Sequence, residues 1–74
     1  MLTIKQFLNK IKYSGKFETK NIVIYYYDRV LKTLIPINYN DFKIDGEFII
    51  FKDKEIPLHR IREIRKKGMI IWKR

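Results

Sequence analysis

From Asn21 onward the chain is cut by turn signals every eight to twelve residues, and the runs between them are β-branched and aromatic. That rhythm leaves room for short antiparallel strands and little else. Asn21 to Tyr27 is the first run. Ile22, Ile24 and Tyr26 fall on one face, and Val23, Tyr25 and Tyr27 on the other. Both faces are apolar, which predicts a central strand ending at Asp28-Arg29. Leu34 to Ile37 reads as an edge strand, because Pro36 lacks a donor. Asn38 to Phe42 reads as a turn or one helical turn. Phe42 to Ile44 and Phe48 to Phe51 flank Asp45-Gly46, a two-residue hairpin signal. Asp53-Lys54 makes the next tight connection, and Glu55 to Leu58 returns. Ile61 to Lys66 and Met69 to Lys73 flank Lys67-Gly68, a third hairpin. Ile61 and Ile64 stand three apart, which breaks strand alternation and predicts a helical turn or bulge near Arg62.

One helix precedes the strands. Ile4, Phe7, Leu8 and Ile11 form an apolar stripe across Thr3 to Tyr13. Thr3 and Gln6 have capping-box spacing, and Ser14-Gly15 supplies a stop. The expected fold is α+β. An N-terminal helix packs on a twisted antiparallel sheet of four to six strands, or on a partly closed barrel, in one domain over residues 1–74. The expected core is Ile4, Phe7, Leu8, Ile11, Ile22, Ile24, Ile50, Ile61, Ile64 and Ile71.

A chain this short buries only about 60% of its unfolded surface, which favours a shallow binding face over a deep catalytic cavity. It has no cysteine. Disulfides and thiol catalysis are excluded, a zinc site lacks its usual ligands, and no cofactor is expected. No run approaches eighteen apolar residues, and the N-terminus lacks the apolar segment of a signal peptide. The expected location is cytoplasmic, with no membrane partner.

Charge is concentrated at the C-terminal end. The last nineteen residues hold seven Lys and Arg against one Glu, within a chain whose net charge is +9. They also hold the only His and the only Trp. Positive charge beside an imidazole and an indole suits an anionic ligand with flat rings, and single-stranded nucleic acid fits best.

The pattern of Ile56, Pro57, His59, Arg60, Ile61, Ile64, Arg65, Gly68, Trp72 and Arg74 resembles a small, mainly archaeal family described as an RNA cyclic-group-end recognition domain. Tyr26 or Tyr27 with Asp28 and Arg29 is similar to the family's Tyr-x-Asp-Arg segment, and Asp45-Gly46 to its Asp-Gly turn. Leu8-Asn9-Lys10-Ile11 also fits. Where the family often has Gly after Asp-Arg, this chain has Val30. The resemblance implies a module that binds RNA 3' ends carrying a 2',3'-cyclic phosphate, in RNA processing or repair. It also implies work beside RNA ligase-like or phosphodiesterase-like enzymes.

Pro57 stiffens the approach to His59 and Arg60. An Arg fork suits two phosphate oxygens, and a His adds a donor. The competing reading packs His59 on the sheet against a backbone carbonyl. Arg62, Arg65, Lys66, Lys67 and Arg74 are the further phosphate candidates. Their competing reading is solvated charge that guards a strand edge. Trp72 can stack on a base, though in so thin a core burial is preferred. Tyr27, Asp28 and Arg29 are candidates for stacking or ribose contact, with an ion pair from Asp28 to Arg29 the preferred role of that carboxylate. One His cannot supply both general acid and general base, and no phosphate-cradling Gly loop is present. The chain therefore reads as a non-enzyme. The alternative is a protein-interaction module docking an acidic partner through the basic hairpin, with an RNA-processing hydrolase behind it.

Overall fold

Thr3 and Gln6 close a reciprocal cap at the start of the chain. The Thr3 N–H donates to Gln6 Oε1 at 2.9 Å, and the Gln6 N–H donates to Thr3 Oγ1 at 3.2 Å. In this computed structural model, which describes residues 3–14 and 19–74, α1 follows as Ile4–Ser14. All four residues of its apolar stripe are buried. The expected stop at Gly15 lies outside the described residues.

Seven strands follow: β1 (Ile22–Asp28), β2 (Thr33–Asn38), β3 (Phe42–Asp45), β4 (Phe48–Phe51), β5 (Lys54–Pro57), β6 (Ile61–Lys66) and β7 (Met69–Lys73). Two single turns of 3-10 helix, Tyr39–Asp41 and Leu58–Arg60, link β2 to β3 and β5 to β6. The strands divide into two antiparallel sheets, ordered β2-β1-β6-β7 and β3-β4-β5. The α+β class stands, but the single sheet becomes two, and neither closes into a barrel. β1 is central and the Pro36 strand is an edge, as its missing N–H requires.

One core joins α1 to both sheets. Ile22, Ile24, Ile61, Ile64 and Trp72 enter it from the larger sheet, and Phe42, Ile49 and Ile56 from the smaller. Two core expectations shift by one residue. Ile49 is fully buried and Ile50 only partly, because Ile49 pairs with buried Ile56. Ile71 is half-buried and Trp72 takes its place. The cause is a bulge: Ile64 pairs with Trp72 and Arg65 with Ile70, leaving Ile71 over. A second bulge stands where Ile61 and Ile64 implied it. Tyr25 pairs with Glu63 and Tyr26 with Ile61, so Arg62 is the extra residue.

The hairpin turns carry left-handed backbone. Gly46 (φ 61°) opens the β3–β4 turn, which is Gly46-Glu47, and Lys52 (φ 55°) opens the β4–β5 turn, Lys52-Asp53. Both sit one residue from the expected pair. Lys67 (φ 52°) and Gly68 (φ 83°) are the two central residues of the β6–β7 hairpin, as expected.

Candidate nucleic-acid interface

The short helix Leu58–Arg60 is fastened at both ends. Pro57 enters it at φ −60°. Leu58 at its start and Ile61 just after it are buried, and the Leu58 N–H donates to the Glu47 carbonyl at 2.9 Å. Arg74 closes the other side. Its Nε donates to the Ile61 carbonyl at 3.2 Å, and its Nη2 reaches the Leu58 carbonyl at 3.5 Å. Its guanidinium also lies 5.6 Å from the Trp72 ring centroid. Arg74 thus spends donors on the backbone that carries His59 and Arg60.

Those two neighbours point to different places. Arg60 is half-buried and lines a cleft of about 290 Å³ with Tyr26, Asp28, Arg29, Val30, Lys54, Glu55 and Ile56. His59 is exposed and is not in that lining. The competing reading, with His59 packed against the sheet, is therefore not what the chain does. The cleft unites the Asp28-Arg29 segment with Arg60, some thirty residues later. Lys54 and Glu55, which the sequence did not single out, come with Ile56 from the smaller sheet.

Asp28 does not pair with Arg29. Its Oδ1 accepts the N–H groups of Val30 at 2.8 Å and Leu31 at 2.9 Å, and the Lys32 N–H closes the loop onto the Asp28 carbonyl at 2.7 Å. No Asp28–Arg29 ion pair forms among the described residues. The Leu31 N–H bond lowers the Asp28 pKa most; partial burial opposes it, and the Val30 bond and the charges of Lys54 and Arg60 lower it further. The carboxylate is a loop cap and a fixed negative charge. Left-handed backbone in this loop falls on Lys32 (φ 54°), not on Val30. A Gly after Arg29 is accordingly not required here.

The other cations lie elsewhere. Arg65 lies over Tyr25, its guanidinium 4.6 Å from the ring centroid, and pairs with Glu63 at 2.8 Å. Arg62 sits 5.8 Å from the Tyr27 centroid. Lys66 and Lys67 stand at the β6–β7 turn. Trp72 is only 7% exposed, so its ring is core and offers no open face to a base. A separate cleft of about 410 Å³ is lined by Lys12, Tyr39, Phe42, Lys43 and Ile44. Burial there raises the Tyr39 pKa.

Among known families, the MJ1316 RNA cyclic group end recognition domain matches residues 1–74. The chain belongs to this family. A UPF0248 protein of Metallosphaera sedula is 36% identical over 75 residues, covering 99% of this chain and 94% of the relative. The UPF0248 protein MJ1316 of Methanocaldococcus jannaschii is 32% identical, covering 96% of this chain and 92% of the relative. A UPF0248 protein of Methanococcus vannielii is also 32% identical, over 96% of this chain and 90% of the relative. No solved structure matches. No helix among the described residues is long and apolar enough to cross a membrane.

Proposed function

We propose that this family member is a non-catalytic RNA-binding module that takes the terminal phosphate of a single-stranded 3' end in the Arg60 cleft, preferring a 2',3'-cyclic phosphate. The observation that carries this reading is the charge of the cleft. Arg29, Lys54 and Arg60 face Asp28 and Glu55 there, three cations against two carboxylates. A net charge near +1 suits a monoanion. A cyclic phosphate carries one negative charge at any working pH, whereas a 3'-phosphate monoester carries about −1.5 to −2 near pH 7. The two carboxylates repel the second charge. The Arg60 fork suits the two free oxygens of the cyclic ester. Val30 and Ile56 supply an apolar wall for the sugar. The family description names the same kind of end.

In this reading His59, on the outer side of the same helical turn, takes the next phosphate along the chain. Arg29 lines the terminal site, and Asp28 shapes its loop. Lys66 and Lys67 hold the RNA backbone by charge alone. Catalysis is left out because one His cannot supply both a general acid and a general base. The module would act in the cytoplasm, in RNA processing or repair, beside an RNA ligase-like or phosphodiesterase-like enzyme.

The test is one oligonucleotide with three endings: 2',3'-cyclic phosphate, 3'-phosphate and free hydroxyl. The cyclic end binds most tightly to the wild type. Arg60→Ala loses about tenfold to a hundredfold on that end and little on the hydroxyl end, from a charged hydrogen bond of about 1.5–3 kcal/mol. Equal affinity for all three ends would reduce the reading to non-specific RNA binding.

A further inference from the structure

The larger sheet has a second face. Ile22, Ile24, Tyr26, Ile61 and Ile64 point into the core, and the strand alternation turns Val23, Tyr25, Tyr27, Glu63 and Arg65 outward. Tyr25 pairs across to Glu63 on one side and Pro36 on the other. Lys73 stands opposite Glu63, and Ile70 opposite Arg65, 48% exposed. No helix of the described residues covers this face; Tyr25 and Tyr27 are half-buried by their strand neighbours.

Two ring–guanidinium pairs occupy it. Over Tyr25, Arg65 is held in place by Glu63, whose Oε2 accepts from Arg65 Nη2 at 2.8 Å and from Nε at 3.0 Å. Over Tyr27 lies Arg62, which the bulge leaves without a partner on β1, while its carbonyl accepts the Arg74 N–H at 2.9 Å. Residues two apart on a strand are about 7 Å apart. The sheet thus presents two flat, cationic platforms, one strand repeat apart, on a face where three cations outnumber one carboxylate.

We propose that this face is a stacking track for single-stranded RNA, in which two successive bases lie on the Tyr25–Arg65 and Tyr27–Arg62 pairs. The inference rests on the RNA reading above and extends it from the end to the nucleotides upstream. Single-strand binders combine a positive surface with flat rings, and bases stack on guanidinium planes as well as on aromatics. An acidic protein surface would satisfy the charge but has no use for the two ring–guanidinium pairs. Arg65 accordingly acts through its plane, not as the phosphate contact the sequence implied.

Arg65→Lys separates plane from charge. Both variant and wild type are titrated with a dinucleotide and a hexanucleotide, each ending in a 2',3'-cyclic phosphate. The hexanucleotide binds the wild type more tightly. Arg65→Lys loses about five- to tenfold on the hexanucleotide, the low end of one stacking contact, and nothing on the dinucleotide, with the salt slope unchanged. Tyr25→Leu, checked for an unchanged melting temperature, behaves the same way. A 2-aminopurine two nucleotides from the end is quenched on binding wild type and less so on binding Arg65→Lys. If Arg65→Lys holds the hexanucleotide as tightly as wild type, the track is wrong while the end reading survives. If the length gain persists with no preference among ends, the end reading fails and the track stands. If the wild type binds neither oligonucleotide, both fall.

Discussion

Replacing Arg74 by Ala tests whether this residue is a brace or a phosphate contact. Its Nε bond to the Ile61 carbonyl is ordinary in length at 3.2 Å, and its Nη2 contact with the Leu58 carbonyl at 3.5 Å is at the limit of a hydrogen bond. A hydrogen bond from a charged donor contributes about 1.5–3 kcal/mol, but Arg74 is solvent-exposed, so about 1 kcal/mol is appropriate for the first and little for the second. The Trp72 contact at 5.6 Å adds about 0.5 kcal/mol. A loss near 1.5 kcal/mol lowers the melting temperature of a domain this size by about 6–12 °C. Arg74→Lys keeps the charge without the fork and recovers less than half of that. In binding, Arg74→Ala weakens the preference for the cyclic end, because the helical turn bearing Arg60 loosens. Calorimetry and end-specific titration read the two effects. An unchanged melting temperature, with affinity lost equally for all RNAs and a salt slope reduced by about one, would refute the brace and make Arg74 a phosphate contact.

Glu55→Gln removes a cleft carboxylate, so affinity for a 3'-phosphate end should rise about three- to fivefold relative to the cyclic end, from about 1 kcal/mol of water-screened repulsion; an unchanged ratio in the three-ended titration counts against charge selection. Lys67→Gly relieves a left-handed backbone at φ 52° and should stabilise the fold by about 0.5–1 kcal/mol in urea unfolding, whereas Gly68→Ala at φ 83° should destabilise it by about 1–2 kcal/mol. Asp28 has a folded pKa below its ordinary 3.8. Its contribution is therefore full above that value and lost as pH falls through the lowered folded one. The melting-temperature gap between wild type and Asp28→Ala should hold from pH 7 to 5 and shrink below about pH 4; a constant gap would show that the loop cap does not depend on the carboxylate's charge.

The local features could be read from sequence because their causes are local. The Thr3/Gln6 cap, the Pro36 edge and the Lys67-Gly68 turn each follow from the chemistry of one or two residues. The Arg62 bulge showed because Ile61 and Ile64 must both reach the core, and three residues cannot do so by alternation. The Ile71 bulge did not show, since Ile70, Ile71 and Trp72 are all apolar and any of them could face inward. Ile49 and Ile50 pose the same problem: identical neighbours carry no parity. Asp28 departs from its sequence reading because a carboxylate beside an Arg suggests an ion pair, yet the Val30 and Leu31 N–H groups lie within closer reach.

The candidate site was half legible for a different reason. Arg29 and Arg60 were both singled out, but nothing in a linear pattern says that they meet, or that Lys54 and Glu55 join them. The meeting is made by burial. Ile22 and Ile24 pack with Ile61 and Ile64 inside the larger sheet, which brings the end of β1 beside the start of β6. Ile56 and Leu58 then pull the smaller sheet onto the same core, and the 3-10 turn between β5 and β6 carries Arg60 across the seam. The cleft walls therefore belong to two sheets held together by apolar packing. Its shape depends on that packing more than on any charged contact within it. That dependence is why the cations alone could suggest an anionic ligand, while the proposed choice between one charge and two rests on where the core places Asp28 and Glu55.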